Sequence, residues 1–365
     1  MSVYDKNGNV ISISDADVKT AFMELVASGE INLGSATGAT LVYNSSTYFN
    51  DAWRTNATTQ YNAMKAKYKE LANMSIPFFI STDQHSAGLE QHRWVNNIDH
   101  DGLEMANINL GDTVLDTFSA SVLEGYAARV KQVKNFMGVV GNHDTQKSSN
   151  AGTNANLIPN VYDLTRTFDS TYDRIIADGE HASYVVIDNE HNVKYIISDN
   201  YIHGSDGSMI SNMDLSSNYC DWLISELSKD DYDIVFLQHW TIHSTGSHNE
   251  YTGRSGAVVP SITGQAQLRV ALAGRKAKSS GTITDYDNGS HAYDFSGMKH
   301  NLLCALTGHW HEECFAKLDG VLCYSADWFG NHGSSVFGLV DRENNKLRVW
   351  KFDNSSTYEE LVLDL

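Results

Sequence analysis

The stretch Met137-Gly138-Val139-Val140-Gly141-Asn142-His143-Asp144 joins a short apolar run directly to a glycine and three polar residues. Such a run is typical of a strand buried in a sheet, and polar residues that follow it lie at the strand's carboxyl end, where α/β folds place their functional sites. Four similar junctions follow other apolar runs, at Asp83-Gln84-His85, Gly111-Asp112, His239 and Gly308-His309-Trp310-His311. We therefore expect all five polar groups at strand ends.

Apolar runs of strand length recur from residue 76 to the end of the chain, and helix-like stretches such as Thr117–Asn135 and Asn218–Ser228 separate several of them. The candidate strands are Ile76–Ile80, Asn107–Leu110, Met137–Val140, Tyr184–Ile187, Lys194–Ser198, Ile234–Leu237, Leu302–Leu306, Val321–Tyr324 and a closing hairpin of Val336–Val340 with Leu347–Phe352. This alternation predicts an α/β protein with buried sheets that helices cover.

The chain is expected to divide into a segment 1–75 and a main domain 76–365. Within the main domain, residues 241–300 are rich in Gly, Ser and Thr and weakly periodic, so we expect an insertion over the domain. In the N-terminal segment, Asn7-Gly8 predicts a hairpin turn, and Asp51–Met74 has a helical apolar stripe. The stripe fits either docking on the main domain or a short coiled coil, so attachment, docking and oligomerisation all remain open for this segment.

Composition narrows the class of protein. The chain has 41% hydrophobic and 19% charged residues and a formal net charge of −19, which is typical of a globular protein and unfavourable for binding a nucleic-acid polymer or an anionic membrane. It contains no secretory signal pattern and no apolar stretch of about 20 residues. We expect a soluble protein, cytoplasmic or associated with a phage particle, whose four cysteines are buried thiols.

The spacing of the polar groups suits metal binding. Residues i and i+2 of an extended segment point the same way, roughly 6.5 Å apart at Cα, so Asp83 and His85 can converge on one ion, while His309 and His311 can address two neighbouring ions. Two such ions need a shared anionic ligand, for which Asp112 is the candidate. Ligands of nitrogen and oxygen without thiolate favour two divalent ions of Mn, Fe, Zn or Co. Their charge outweighs that of the two carboxylates, which suits a phosphate ester.

The ordered series D-x-H, G-D, G-N-H-D, H and G-H-x-H resembles the signature of the calcineurin-like metallophosphoesterases, from about Ile76 to Tyr324. The resemblance implies a sandwich of two mixed β-sheets flanked by helices (αββα), with the site at strand ends. It further implies two overlapping sets of metal ligands. The first set is Asp83, His85, Asp112 and His311, and the second is Asp112, Asn142, His239 and His309.

In that family a metal-bound hydroxide attacks phosphorus, and the resemblance makes His143 the residue that contacts the phosphate and protonates the leaving oxygen. An acidic neighbour should orient His143, and Asp144 and Asp116 are both candidates. Protein-phosphatase members read G-D-x-V-D-R-G, whereas here Asp116 stands one position late and the arginine is absent. This departure argues against a phosphoprotein phosphatase.

The sequence therefore predicts an enzyme that hydrolyses a small or surface-exposed phosphate ester, a phosphodiester ahead of a phosphomonoester. Trp240 and Trp310, each beside a ligand, are expected to wall the site. The alternative is a phage-tail or other structural or binding component on the same scaffold, because a short hairpin and helix at the N-terminus resemble an attachment segment.

Overall fold

In the computed structural model the chain forms two compact units, 1–44 and 45–365. The structure describes residues 2–4, 10–12, 48–71, 75–85, 89–98, 103–113, 129–130, 133–145, 173–176, 183–199, 202–203, 209–211, 215–242, 250–256, 258–259 and 265–365. In the smaller unit, β1 (Ser2–Tyr4) pairs antiparallel with β2 (Val10–Ser12), in keeping with the expected hairpin. Its Asn7-Gly8 turn lies outside the described residues.

The first large sheet of the other unit has six strands in the order β21-β20-β19-β3-β4-β5. They are β3 (Ser75–Ser81), β4 (Ala106–Asn109), β5 (Phe136–Gly138), β19 (Ser335–Asp341), β20 (Lys346–Phe352) and β21 (Leu361–Asp364). The strands β3, β4 and β5 are parallel, and the remaining three are added antiparallel. The carboxyl ends of β3, β4 and β5 therefore meet at one edge.

The second sheet has nine strands in the order β13-β12-β17-β18-β16-β11-β8-β7-β6. They are β6 (Asp173–Ile176), β7 (Tyr184–Asp188), β8 (Val193–Ser198), β11 (Asp233–Gln238), β12 (Tyr251–Gly253), β13 (Val258–Val259), β16 (Leu302–Thr307), β17 (Cys314–Leu318) and β18 (Val321–Ser325). Its centre, β8-β11-β16-β18, is parallel. This sheet is mixed as well, because the outer pairings are antiparallel. Two further pairs, β9 (Ile202–His203) with β10 (Met209–Ser211) and β14 (Ser280–Thr284) with β15 (Ser290–Asp294), stand outside both sheets.

The two sheets pack face to face around one apolar core. Alternate residues of β3 and β4, such as Ile80 and Ile108, share this core with Tyr195, Leu237 and Leu306 of the nine-stranded sheet. A second core lies on the other face of the nine-stranded sheet, which the helices Ser217–Ser228 and Ala266–Ala277 cover. The helices of the described residues are α1 (Asp51–Glu70), α2 (Glu90–Asn97), α3 (Asn142–Thr145), α4 (Ser217–Ser228), α5 (Ala266–Ala277) and α6 (Phe329–His332). The predicted sandwich of two mixed sheets flanked by helices is confirmed.

The described part of residues 241–300 includes α5 and the β14–β15 hairpin, and both pack into the second core. Leu268 and Leu272 of α5 and Ile283 and Tyr293 of the β14–β15 hairpin are buried in the second core with residues of α4. The sequence predicts only an insertion here because the polar surface of these elements hides their apolar stripe. Much of the expected helix 117–135 lies outside the described residues, and no helix of the described part of the chain is long and apolar enough to cross a membrane.

Helix α1 packs on β19 and β20, on the outer face of the six-stranded sheet. Asn50 caps its start by accepting a hydrogen bond from the backbone of Trp53 (2.9 Å), and Ala57, Tyr61 and Met64 of the predicted stripe are buried. The sequence predicts a segment boundary near residue 75, whereas the structure places α1 in the same compact unit as the sheets. The helix belongs to this unit because its apolar stripe is buried against the outer face of the six-stranded sheet.

Met64 gives a direct test of this packing, because its side chain is fully buried between α1 and the sheet. Met64→Ala should lower the free energy of unfolding by about 2–5 kcal/mol through lost burial and a cavity. The neighbouring Asn62→Ala, on the exposed face of the same helix, should change it by less than about 0.5 kcal/mol. Urea unfolding followed by circular dichroism measures both. Equal stabilities for the two variants would contradict the packing described.

His291 of β15 fastens the hairpin to α4. Its Nδ1 lies 2.7 Å from Asp221 Oδ1 and its Nε2 lies 2.9 Å from Asp285 Oδ2, and these carboxylates, Asp285 first, raise the pKa of His291. A raised folded-state pKa stabilises the fold below the unfolded value of about 6.5, and the gain is lost as pH rises through the folded-state pKa. His291→Gln should therefore lower the Tm more at about pH 5.5 than at about pH 9. A Tm difference that does not change with pH would show that His291 is uncharged in this contact.

Candidate metal centre

The five polar groups predicted at strand ends lie where the carboxyl ends of parallel strands of both sheets meet. Asp83 and Asp112 follow β3 and β4, Asn142 follows β5, and His239 and His309 follow β11 and β16. Backbone hydrogen bonds join neighbouring loops, from the Asp83 N–H to the Gly111 carbonyl (2.9 Å) and from the Gly308 N–H to the His239 carbonyl (2.9 Å). The site is thus built jointly by the two sheets.

The first group of ligand-type atoms belongs to Asp83, His85 and His311, which lie within 4.8 Å of one another. His311 Nε2 is 3.0 Å from Asp83 Oδ1. The other carboxylate oxygen, Oδ2, accepts hydrogen bonds from the Thr82 hydroxyl (2.7 Å) and the His309 backbone N–H (3.0 Å). One oxygen of the buried Asp83 is therefore held by the protein, and the other faces the imidazole groups.

The second group belongs to Asp112, His239 and His309. His239 Nε2 lies 3.2 Å from Asp112 Oδ2, 3.2 Å from His309 Nδ1 and 3.1 Å from Asn142 Oδ1. The other ring nitrogen of His239 lies 2.7 Å from the Leu110 carbonyl oxygen. A backbone carbonyl at Nδ1 fixes the orientation of the ring and presents Nε2 to the centre of the group, as is usual for a metal-binding histidine.

A third grouping, His85 with Asp112 and His143, shares a residue with each of the other two. His143 Nε2 lies 3.8 Å from Asp112 Oδ2, and its ring meets the edge of the His85 ring at 4.7 Å. The His143 side chain keeps 27% of its surface exposed, whereas Asp112 is buried. His143 therefore stands between the buried carboxylates and solvent.

The structure describes one of the two acids that are expected to orient His143. The Asp144 carboxylate is buried and accepts a hydrogen bond from the Gly141 N–H (2.9 Å), across the turn into α3. The His143 N–H in the same turn donates to Asp112 Oδ1 (2.8 Å). Asp116 lies outside the described residues. The role of either acid toward His143 remains a prediction.

The backbone at the site differs from the extended geometry that the i, i+2 spacing suggests. Asp83, His85, Asp112, His309 and His311 all have φ between 50° and 67°. A left-handed conformation costs a non-glycine residue of order 1 kcal/mol and clusters at functional sites. The side chains converge because the chain turns sharply at each strand exit, which the sequence spacing alone does not indicate.

The donor set of the site fits divalent metal ions. Both ring nitrogens of His85 are buried without a hydrogen-bond partner among the described residues, and the buried Asp112 Oδ2 faces the His239 and His143 imidazoles. Buried carboxylates need nearby positive charge. Burial opposes ionisation of Asp83, but hydrogen bonding to His311 and the charge of His239 outweigh it and hold the pKa of Asp83 well below its usual range. Imidazole nitrogens grouped around two buried carboxylates therefore suit divalent cations.

The pKa values of the histidines are shifted in opposite directions, according to whether burial or the Asp112 carboxylate dominates. Burial acts to lower the pKa of His239, but the Asp112 carboxylate outweighs it and raises that pKa to about 9. Burial lowers the pKa of His309 to about 3, with the nearby His239 contributing, and burial also lowers the pKa of His85. Neutral imidazoles are the form that binds metal.

Two tryptophans lie against the histidines of the last motif. The Trp240 ring lies over His309, as its place beside His239 suggests, with ring centroids 3.6 Å apart. Trp328 stacks on His311 with centroids 4.1 Å apart, and the sequence prediction missed it. Its only signal is that it closely follows the apolar run of β18, at one more strand exit. Trp310, also predicted to wall the site, packs against the second core.

Glycines let the loops approach this closely. A Cβ on Gly141 would lie 2.1 Å from Asp112 Oδ1, and one on Gly308 would lie 2.2 Å from Thr82 Oγ1. Gly111, with φ +99°, would place a Cβ 2.7 Å from His239 Nδ1. These three positions therefore require glycine, because a Cβ atom would overlap the neighbouring side chains.

Comparison with known proteins found no matching protein-family model and no matching curated protein. Among solved structures, the chain is similar to a Staphylococcus aureus protein described as a 5′-nucleotidase, at 12% identity and TM-score 0.40 over 80% of this chain and 54% of that one. It is also similar to an archaeal phosphodiesterase (14%, TM-score 0.32, 79% and 100%) and to GAP50, the anchor in the inner membrane complex of Plasmodium (12%, TM-score 0.41, 80% and 89%). The chain thus spans about half the length of the first of these proteins, and at these identities the similarity concerns the fold alone.

The observed fold is the arrangement that the resemblance to the calcineurin-like metallophosphoesterases implies. The chain has two mixed sheets flanked by helices, and its five motifs stand at the strand ends between them.

Gly141→Ala tests the geometry around Asp112. The added methyl would overlap the carboxylate, so the variant should lose at least about tenfold in Mn²⁺ affinity, the scale on which disturbed ligand support acts. Isothermal titration calorimetry measures this affinity. Asn62→Ala, on the exposed face of α1, is the control and should bind Mn²⁺ as the wild type does. Unchanged Mn²⁺ binding by folded Gly141→Ala would contradict the close packing described.

Proposed function

We propose that this chain is a phosphoesterase that uses two divalent metal ions to hydrolyse a phosphate ester. The observation that supports it most is the convergence of two ligand groups, Asp83-His85-His311 and Asp112-His239-His309, on adjacent positions bridged by the grouping of Asp112 with His85. Asn142 adds an amide oxygen to the second group. Mn, Fe, Zn and Co are the ions that such nitrogen and oxygen ligands favour.

Asp83, His85, Asp112 and His311 would hold one ion, and Asp112, Asn142, His239 and His309 the other. When bound, the two ions would supply a nucleophile at neutral pH and neutralise the phosphoryl oxygens. Neighbouring protein groups orient these ligands. The Leu110 carbonyl fixes the His239 ring, and the Thr82 hydroxyl fixes the Asp83 carboxylate. The protein contributes an arrangement set before the substrate arrives, which is the main source of electrostatic stabilisation in enzymes.

His143 is the proposed proton donor to the leaving oxygen. Its side chain keeps 27% of its surface exposed beside the buried Asp112, and its backbone N–H donates to that carboxylate. A general acid needs to reach the substrate and also remain in fixed geometry with the metal ligands. Asp144 and Asp116 remain the candidates that orient it.

The proposed substrate is a small or surface-exposed phosphodiester, ahead of a phosphomonoester. The argument is one of motif, because Gly-Asn-His-Asp fits the phosphodiesterase-like branch, and the arginine of the protein phosphatases is absent after Asp112. The net charge of −19 disfavours a long polyanion as substrate. A small ester needs only the local charge of the ions.

Hydrolysis of bis-p-nitrophenyl phosphate and p-nitrophenyl phosphate in Mn²⁺ buffer tests the proposal. We expect turnover, with the diester hydrolysed faster. Asp112→Asn should lower kcat/KM by more than about 100-fold, because even the outer partners of metal ligands are each worth 10- to 100-fold. Asp287→Asn, an exposed carboxylate in the β14–β15 turn, is the matched control and should keep wild-type activity.

The outcomes separate the possible functions. No bound metal and no turnover of either ester would favour the structural or binding component over the enzyme. Turnover that survives in Asp112→Asn would refute the bridging role of Asp112. Faster hydrolysis of the monoester would reverse the order of substrates and leave the reaction class in place.

A further inference from the structure

Each histidine of Gly308-His309-Trp310-His311 lies against a different tryptophan ring. Trp240 covers His309 at 3.6 Å between centroids with the planes tilted by 40°, and Trp328 covers His311 at 4.1 Å and 25°. Trp328 also meets the edge of His85 at 5.7 Å. The two tryptophans therefore divide between the two ligand groups, one to each.

The loop that carries Trp328 is tied to the strand exit that carries Asp83. The Phe329 N–H donates to the Thr82 carbonyl (3.1 Å), and the Gly330 N–H donates to the Asp83 carbonyl (3.0 Å). A Cβ on Gly330 would lie 2.5 Å from Trp328 Nε1, so the loop folds tightly around the indole. Trp328 is thus fixed relative to the ligands of the first group.

An ion pair between Asp327 and Lys351 supports the same loop. The Trp328 N–H donates to Asp327 Oδ1 (2.7 Å), while Lys351 Nζ on β20 donates to Asp327 Oδ2 (2.6 Å). Asp327 and Lys351 are both buried. The backbone of Trp328 is therefore anchored through Asp327 to β20 of the six-stranded sheet.

Trp240 is fixed in a different way. It directly follows His239, whose carbonyl accepts the Gly308 N–H, and its own ring is buried. The loop that carries Trp240 is thus hydrogen-bonded to the residue before His309. The ring that covers His309 and the backbone that carries His309 belong to one rigid arrangement.

A tryptophan ring against a histidine can fix the orientation of the imidazole before a metal ion binds. The His311 side chain is 35% exposed, and its single contact to Asp83, at Nε2, does not by itself define the plane of the ring. Rotation of a half-exposed imidazole costs binding entropy when a metal ion fixes it. A flat aromatic surface against the ring removes that freedom in advance, and aromatic pairs carry a preference of a size that corresponds to about two- to tenfold in affinity.

We propose that Trp328 and Trp240 are positioning residues that hold the imidazole planes of His311 and His309 for binding of the two metal ions, one tryptophan for each ion. The inference rests on the proposed function and deepens it. It assigns to each ion a separate aromatic support, so the two affinities can be changed independently.

Mn²⁺ binding measured by calorimetry tests this, with the free ion followed by electron paramagnetic resonance. The wild type should bind two Mn²⁺ ions. Trp328→Leu and Trp240→Leu should each raise the Kd of one ion by about two- to tenfold and leave the other within about twofold. Trp328→Phe keeps an aromatic face and should recover most of the affinity. Trp222→Leu, a half-buried tryptophan of α4 that packs on Tyr219, is the matched control and should bind as wild type does.

A double-mutant cycle separates positioning from general structural support. If Trp328 acts through His311, Trp328→Leu should have no further effect on Mn²⁺ binding in a His311→Ala background. An additive effect in that background would overturn the assignment for Trp328. So would equal losses in Trp328→Phe and Trp328→Leu, because then the aromatic face is not what matters.

Two further outcomes distinguish failure of the proposed function from failure of this inference. A wild type that binds no Mn²⁺ overturns the proposed function, and this inference with it. A wild type that binds two ions, with both leucine variants binding equally well, overturns the inference alone. Thermal unfolding without metal checks that each variant folds, and the two tryptophans provide independent tests if one leucine variant does not.

Discussion

Two carboxylates, Asp83 and Asp112, are buried where the strand ends of two sheets meet, and the arrangement around them depends on that fact. A buried carboxylate is costly unless hydrogen bonds and positive charge compensate it. Backbone N–H groups and the Thr82 hydroxyl supply part of the compensation, and the remaining oxygens face histidines. The glycines that permit close approach and the left-handed backbone of the ligand residues serve to bring these groups to the carboxylates. The proposed ions would complete the neutralisation.

Because each sheet supplies part of the site, the packing of the sheets and the geometry of the site cannot be separated. The His239 ring of the nine-stranded sheet contacts the Leu110 carbonyl of the six-stranded sheet, and the His309 N–H reaches back to Asp83. A shift of about 1 Å between sheets would break these contacts, since hydrogen bonds tolerate only a few tenths of an ångström. The interior core between the sheets therefore acts on site geometry as well as on stability.

The sequence is informative where burial dictates the residue types. The central strands are fully buried and read as continuous apolar runs, so their positions and the polar residues at their ends could be predicted within one or two residues. The sandwich followed from the motif series. The left-handed backbone of Asp83 or His311 was not predictable, because it depends on loop contacts between distant strands. Trp328 reaches His311 through tertiary folding and has no spacing signature. The polar face of α5 hides its apolar stripe from the sequence. The stripe of α1 indicates docking or self-association without choosing between them, because a stripe does not reveal what it covers; the structure shows docking on β19 and β20.

Trp53, in the first turn of α1, donates from its indole nitrogen to the Gly333 carbonyl (2.8 Å) and packs against Phe329 and Phe352. It thereby contacts the segment that follows Trp328. A shortened chain that begins at residue 76 would lose this indole and uncover the aromatic face formed by Phe337 and Phe352. An uncovered aromatic face of this kind promotes aggregation. Any truncation that aims to retain the fold should therefore start no later than Ser45 rather than at the motif-bearing strands, because α1 covers the six-stranded sheet.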